Sequence, residues 1–188
     1  LGMWECAKRD MPIGQPVWEG VEKHFLNGQL DDGGWGYSGG RETTGTMTAA
    51  GLTCLYVTQD FLHSQDYREP GKARAHPLQE RIDKGLEWFG KHYKPSSAGY
   101  YMVGVERVGL ASGMKYFGEH DWYDSGAAVL LKSTPKDSVN LSFALIFLVR
   151  GRNPIFVNKL EIPGYDWNNR PRDVANLAKW VSDEVEKE

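Results

Sequence analysis

From Pro16 onward the chain alternates between two kinds of helical pattern. Val17, Trp18, Val21 and Phe25 recur at helical spacing with polar residues between them. Pro16 suits a first turn and Asn27-Gly28 a stop, which predicts a short amphipathic helix near 16–27. The run 43–62 differs: Met47, Ala50, Gly51, Cys54, Leu55 and Thr58 put small and apolar groups on more than one face, the mark of a helix enclosed by others. The order then repeats. Leu78, Ile82, Leu86 and Phe89 predict an amphipathic helix near 78–93, and Tyr100–Phe117 an apolar, glycine-bearing one. A third polar-faced run near 121–131 is followed by a third apolar run near 138–150. No strand alternation interrupts them. The prediction is an all-α fold of outer-then-inner helical hairpins, each covering its neighbour's apolar face.

The two ends read differently. Residues 1–9 resemble the end of a buried helix closed by Lys8-Arg9 and stopped by Pro12, and the chain starts without Met, so the expectation is a domain cut from a longer protein. Beyond Arg150 the pattern loses its helical period: Arg152–Ile162 reads as extended, Pro163-Gly164 as a turn, and Pro171 as the opening of a last helix that carries Val174, Leu177, Ala178 and Val181 on one face. The expected organisation is a hairpin-repeat domain over 1–150 and an extended segment with a terminal helix over 151–188, packing on that domain or leading to an adjacent one.

Composition narrows the functions. Twenty-two Lys+Arg against 25 Asp+Glu give a net charge of −3 with no basic run, which argues against a nucleic-acid partner. There is no apolar stretch long enough to cross a membrane. Two cysteines, Cys6 and Cys54, make no disulfide framework. The five histidines contain no H-x-x-x-H pair, so their spacing predicts no metal site, and no cofactor motif is present. The compartment is not encoded in these features.

Gln29-Leu30-Asp31-Asp32-Gly33-Gly34-Trp35, preceded by Phe25-Leu26, resembles the Q-x-x-x-G-x-W turn of the squalene and hopene cyclases and the wider prenyltransferase/squalene-cyclase repeat superfamily. The runs Met47–Leu52, Glu106–Ala111, His120–Tyr123, Arg150–Pro154 and Trp167–Asp173 are similar to large uncharacterised bacterial proteins in which such a repeat region precedes a carboxy-terminal domain of unknown function. The resemblance implies an α/α toroid, here incomplete, an arc of hairpins and not a closed ring. It also brings three catalytic patterns to look for. The cyclases' D-x-D-D is represented only by Asp31-Asp32 within the turn, the zinc-binding D-x-C of the prenyltransferases is absent around Cys54, and neither cysteine has a thioester context.

Candidate chemistry rests on fewer residues. Glu106 and Arg107 place two charges inside an otherwise apolar helix, where charges must be paired or put to use. Each is expected to hold a charge-assisted hydrogen bond, with Arg107 the better paired because it cannot discharge. His120 and Asp121, at a helix junction, read as a helix cap or as a catalytic pair. Trp35, Tyr37, Tyr100 and Tyr101 join Glu106 and Arg107 as candidate ligand-binding residues for an apolar or sugar ligand, the alternative being turn packing. Three functions follow: a non-catalytic toroid module that binds a ligand or partner; a cyclase- or prenyltransferase-type enzyme with its acid elsewhere in the protein; and a polysaccharide-active toroid.

Overall fold

A computed structural model of the chain describes residues 2–37, 42–66, 76–151 and 159–185. Among these the fold is helical. Eight helices, α1 (Gly2–Ala7), α2 (Gln15–Gly28), α3 (Gly45–Leu62), α4 (Pro77–His92), α5 (Gly99–Ser112), α6 (Trp122–Lys132), α7 (Ser138–Arg150) and α8 (Asp173–Val185), are joined by one small antiparallel ribbon of β1 (Tyr116–Phe117) and β2 (His120–Asp121). The chain forms two compact units, 1–89 and 90–188, each described by itself.

In the first unit α2, α3 and α4 run up, down and up. Trp18 at the start of α2 stacks on Phe61 at the end of α3, with ring centroids 4.3 Å apart, so these helices are antiparallel. The α3–α4 contact is antiparallel too, because Leu52 meets Gly85 while Gln59 meets Gln79 further along. Helix α3 sits between its neighbours, and residues from Thr48 to Gln59 are buried around its circumference. Its amino end is capped by the Thr44 hydroxyl, which accepts from the Met47 N–H at 3.3 Å. Helix α1 has the place expected for a helix at the start of the chain but buries no residue.

The turn 29–35 ties this unit together. Gln29 Nε2 donates to Gly33 O at 2.7 Å and to Arg81 O of α4 at 2.8 Å. The Trp35 indole N–H donates to Phe25 O of α2 at 2.8 Å, and the Trp35 backbone N–H to Thr48 Oγ1 of α3 at 3.1 Å. The indole then lies flat over α3, where a Cβ built on Gly51 would stand 2.5 Å from the ring, and its far edge reaches Gly85 of α4. Gly33 supplies the left-handed corner at φ 95°, hard against the backbone of Lys84.

The second unit also stacks helices up, down and up. Helix α6 runs antiparallel to α5, since Trp122 covers Gly109 while Gly126 meets Met102. Helix α7 runs parallel to α5: Gly99 abuts Asn140 and Phe143, and Glu106 lies beside Arg150. Helix α8 reaches the end of α5 through Ala175 against Gly113, and Arg172 Nε donates to Ala111 O at 3.1 Å.

The expected helices at 16–27, 43–62, 78–93, 121–131 and 138–150 are all present to within two residues at each end. The expected helix to Phe117 is shorter. Gly113 adopts φ 72° and closes α5 at Ser112, and the chain then turns through Gly118, at φ 62°, into the two-stranded ribbon. The extended reading of 152–162 falls largely outside the described residues. The turn at Pro163-Gly164 is present, with Gly164 at φ 82°.

Two glycines of opposite setting test this packing. Gly51→Ala should destabilise the protein by about 1–3 kcal/mol, because the indole above it has to move. Gly20→Ala, where a Cβ in α2 meets nothing within 4 Å, should stabilise it by about 0.5–1 kcal/mol through helix propensity. Calorimetric melting of both variants should therefore shift Tm in opposite directions.

Candidate functional site

Glu106 is the most unusual side chain among the expected site residues. It projects from the middle of α5 with no exposed surface, and neither carboxyl oxygen has a hydrogen-bond partner. The nearest cation is not Arg107 but Arg150 of α7, whose Nε lies 3.8 Å from Oε1, an ion-pair distance and not a hydrogen bond. This corrects the expectation of a charge-assisted bond for each residue. Arg107 is only half-buried and its buried Nε has no partner, so it is not the better paired of the two. The reason lies in helix geometry: consecutive residues on a helix diverge by about 100°, so Glu106 points at α7 while Arg107 cannot follow it. Burial drives the Glu106 pKa above its ordinary value, against the weaker pull of Arg150 and Arg107.

His120 and Asp121 separate into different roles. Asp121 is the N-cap of α6, its Oδ1 accepting from the Tyr123 and Asp124 N–H groups at 3.2 and 3.1 Å, while Oδ2 lies 3.3 Å from Lys115 Nζ. His120 is exposed on β2, with its ring edge-on to Tyr93 at 5.8 Å. The two do not form a His–Asp hydrogen bond.

The aromatic candidates divide between packed and exposed positions. In the first unit Trp35 is 2% exposed and fully engaged by α2, α3 and α4, whereas Tyr37 is open to solvent. Asp32 belongs to the same turn: its Oδ1 accepts from the Gly34 N–H at 3.1 Å, and its Oδ2 from the Thr43 hydroxyl at 2.7 Å and the Trp88 indole at 3.0 Å. In the second unit Tyr100 is exposed, edge-on to Phe143, and Tyr101 is largely covered, its hydroxyl held well above the ordinary tyrosine range by burial and by neighbouring Tyr93. A shallow polar hollow lined by Ser96, Ser97, Ser133, Thr134, Asp137 and Asn140 contains none of the expected site residues.

Two features went unseen in the sequence. The first is a histidine pair. Asp66 and His76 lie with His63 so that one ligand-type atom from each falls within 4.8 Å of the others, although histidine spacing gave no such signal. His63 also meets Glu22 of α2, Nε2 to Oε2, at 2.8 Å. Burial and the charge of His63 hold His76 below the ordinary histidine range. The second is a stripe along α7: Val139, Leu145 and Val149 are more than half exposed and Ile146 is 36% exposed, while the opposite face buries Ala144 and Phe147.

Comparison with known proteins gives no relative to argue from: no family model, no curated protein and no solved structure matches the chain.

The buried carboxyl makes a testable pH dependence. A carboxyl whose folded pKa is raised favours the folded state while protonated in both states, and that contribution is lost as pH rises from about its ordinary 4.5 through the folded value. Glu106→Gln keeps the shape and removes the ionisation. Its melting temperature should exceed wild type at pH 8, by about 2–4 °C for each kcal/mol recovered, and should converge with wild type near pH 4. Parallel Tm–pH curves for the two proteins would show that Glu106 is not the titrating group.

Proposed function

We propose that the chain is a helical-hairpin module of the α/α-toroid type that works by binding another apolar helical surface, without chemistry of its own. The observation that carries this reading is the α7 stripe. Helices α3 and α7 are both strongly apolar, yet α3 is buried around its circumference while α7 buries one face and presents Val139, Leu145, Ile146 and Val149 on the other. This is a run of exposed apolar side chains on a helix whose sequence is built to be enclosed. In a hairpin repeat the natural cover for such a face is the next hairpin, which makes a helical partner of the same kind the fitting one.

The resemblance of the 29–35 turn to the cyclase-repeat turn supports the toroid reading, and the way Gln29 and Trp35 bridge three helices gives that turn a structural purpose. The missing D-x-D-D and D-x-C patterns support a module without catalysis. A second reading, an enzyme of the cyclase or prenyltransferase type, draws on Glu106, a carboxyl whose pKa burial raises, the direction a general acid needs. It needs a substrate to reach a group with no exposed surface, whereas binding through α7 needs no rearrangement.

A second copy of the chain is the available probe, since it offers the same apolar helix. Sedimentation equilibrium of the wild type should show concentration-dependent self-association, and Leu145→Lys with Val149→Lys should weaken it at least about tenfold, or 1.4 kcal/mol. Stability should change by no more than about 0.5 kcal/mol, because both side chains are solvent-exposed. A wild type that stays monomeric and binds no apolar dye would remove the reading.

A further inference from the structure

We propose that Glu22, His63, Asp66 and His76 form a binding site for a divalent transition-metal ion of the zinc class, in which His63, Asp66 and His76 are the ligands and Glu22 orients His63. The site is independent of the α7 surface and rests on three separate elements of the first unit. His63 is the residue that closes α3, Asp66 lies one turn further on, His76 immediately precedes α4, and Glu22 stands on α2.

The argument begins with the tautomer of His63. Its Nε2 is 2.8 Å from Glu22 Oε2, and a carboxylate can only accept, so Nε2 carries the hydrogen. In the neutral ring Nδ1 is then a lone pair, and it faces Asp66 Oδ2 at 4.0 Å. With the ring neutral, these two acceptors face each other across a gap that a bound cation, like a proton on Nδ1, would bridge. The His76 ring completes the set, its centroid 4.4 Å from that of His63, and the three ligand-type atoms fall within 4.8 Å of one another. Zinc bonds to nitrogen and oxygen of about 2.0–2.1 Å place tetrahedral ligand atoms about 3.3 Å apart, so the cluster has to contract by about 1.5 Å at its widest. Asp66, with half of its side chain exposed, has room to shift toward the histidines. The hard carboxylate and borderline imidazoles match zinc or cobalt and leave a fourth position for water.

Glu22 supplies what a metal-bound histidine ordinarily has, a carboxylate on its other nitrogen that fixes the ring and raises its basicity. It is well placed for this, with its side chain only 16% exposed. His76 brings a second consequence. Its Nδ1 accepts from the Leu78 N–H at 3.3 Å, at the first turn of α4. A metal on Nδ1 takes that lone pair, and a metal on Nε2 leaves the hydrogen on Nδ1, so by either route the Leu78 N–H loses this acceptor. Metal binding is therefore reported by a backbone amide that is not itself a ligand.

The experiment uses untagged, chelator-treated protein and Zn²⁺ in equilibrium dialysis, with Co²⁺ as the spectroscopic probe. The expected results are one ion per chain, the intense visible absorption of a tetrahedral cobalt site, and a shift of the Leu78 amide resonance. His76→Gln should weaken binding by more than about 100-fold and Glu22→Gln by about 10–100-fold, while His120→Gln, outside the cluster, should leave it unchanged. Asp66→Asn is the variant least able to disturb folding, and it too should weaken binding. Absence of stoichiometric binding overturns the proposal, as does binding that survives both Asp66→Asn and His76→Gln. Should a variant fail to fold, the cobalt spectrum and the Leu78 shift of the wild type decide: an octahedral spectrum or an unmoved amide counts against the site.

Discussion

The first unit depends on one indole. Trp35 lies over Gly51 of α3, reaches Gly85 of α4 and donates to the Phe25 carbonyl of α2, so a single side chain fixes three helices. Such an arrangement requires glycine at the covered positions, because a ring can approach a helix axis this closely only where no Cβ intervenes. It also explains why α3 carries its small residues where it does. The second unit uses the same device in another order: Trp122 lies over Gly109 of α5 and donates to Met114 O at 2.7 Å. Trp35 precedes its glycine and Trp122 follows its own, so the two units share a packing solution but not a sequence register.

That solution has an electrostatic consequence in the second unit. A helix pulled close to its neighbours by glycine contacts leaves little water around its buried face, and Glu106 sits on that face with Met102 and Val105. Arg150, 3.8 Å away and itself nearly half exposed, is a weak partner in such a place. Desolvation of the carboxylate outweighs an ion pair formed with a cation that itself stays partly in water, and the Glu106 pKa rises. A buried group of this kind gives the fold a stability that falls with rising pH, whatever else it does.

Helical period made the main elements legible because amphipathic and enclosed helices differ in where their apolar residues fall, and the turn 29–35 was legible because its glycines and indole have one obvious use. The end of α5 was misread because Val108, Gly109, Leu110 and Ala111 continue the apolar pattern to within two residues of Gly113, and only the left-handed conformation there reveals the stop. For Glu106 and Arg107 the sequence shows that two charges stand in an apolar helix but not how well each is met: a helix sends neighbours in different directions, so Glu106 reaches Arg150 only at ion-pair distance and Arg107 is left without a partner for its buried Nε. Asp121 read correctly as a cap, because the cap is a local interaction between an Asp and the next two or three amides.

The histidine cluster and the α7 stripe escaped the sequence for opposite reasons. His63 and His76 are thirteen positions apart, and nothing in their spacing says that the end of α3 and the start of α4 bring their rings to 4.4 Å. The stripe was hidden by excess and not by distance: a helix that is apolar all round looks buried from its composition, and only the packing shows which face has been left without cover. In both cases the missing information is tertiary. Period along one helix tells which residues share a face, whereas which face is covered is decided by the neighbouring helices, and those are set only when the chain packs.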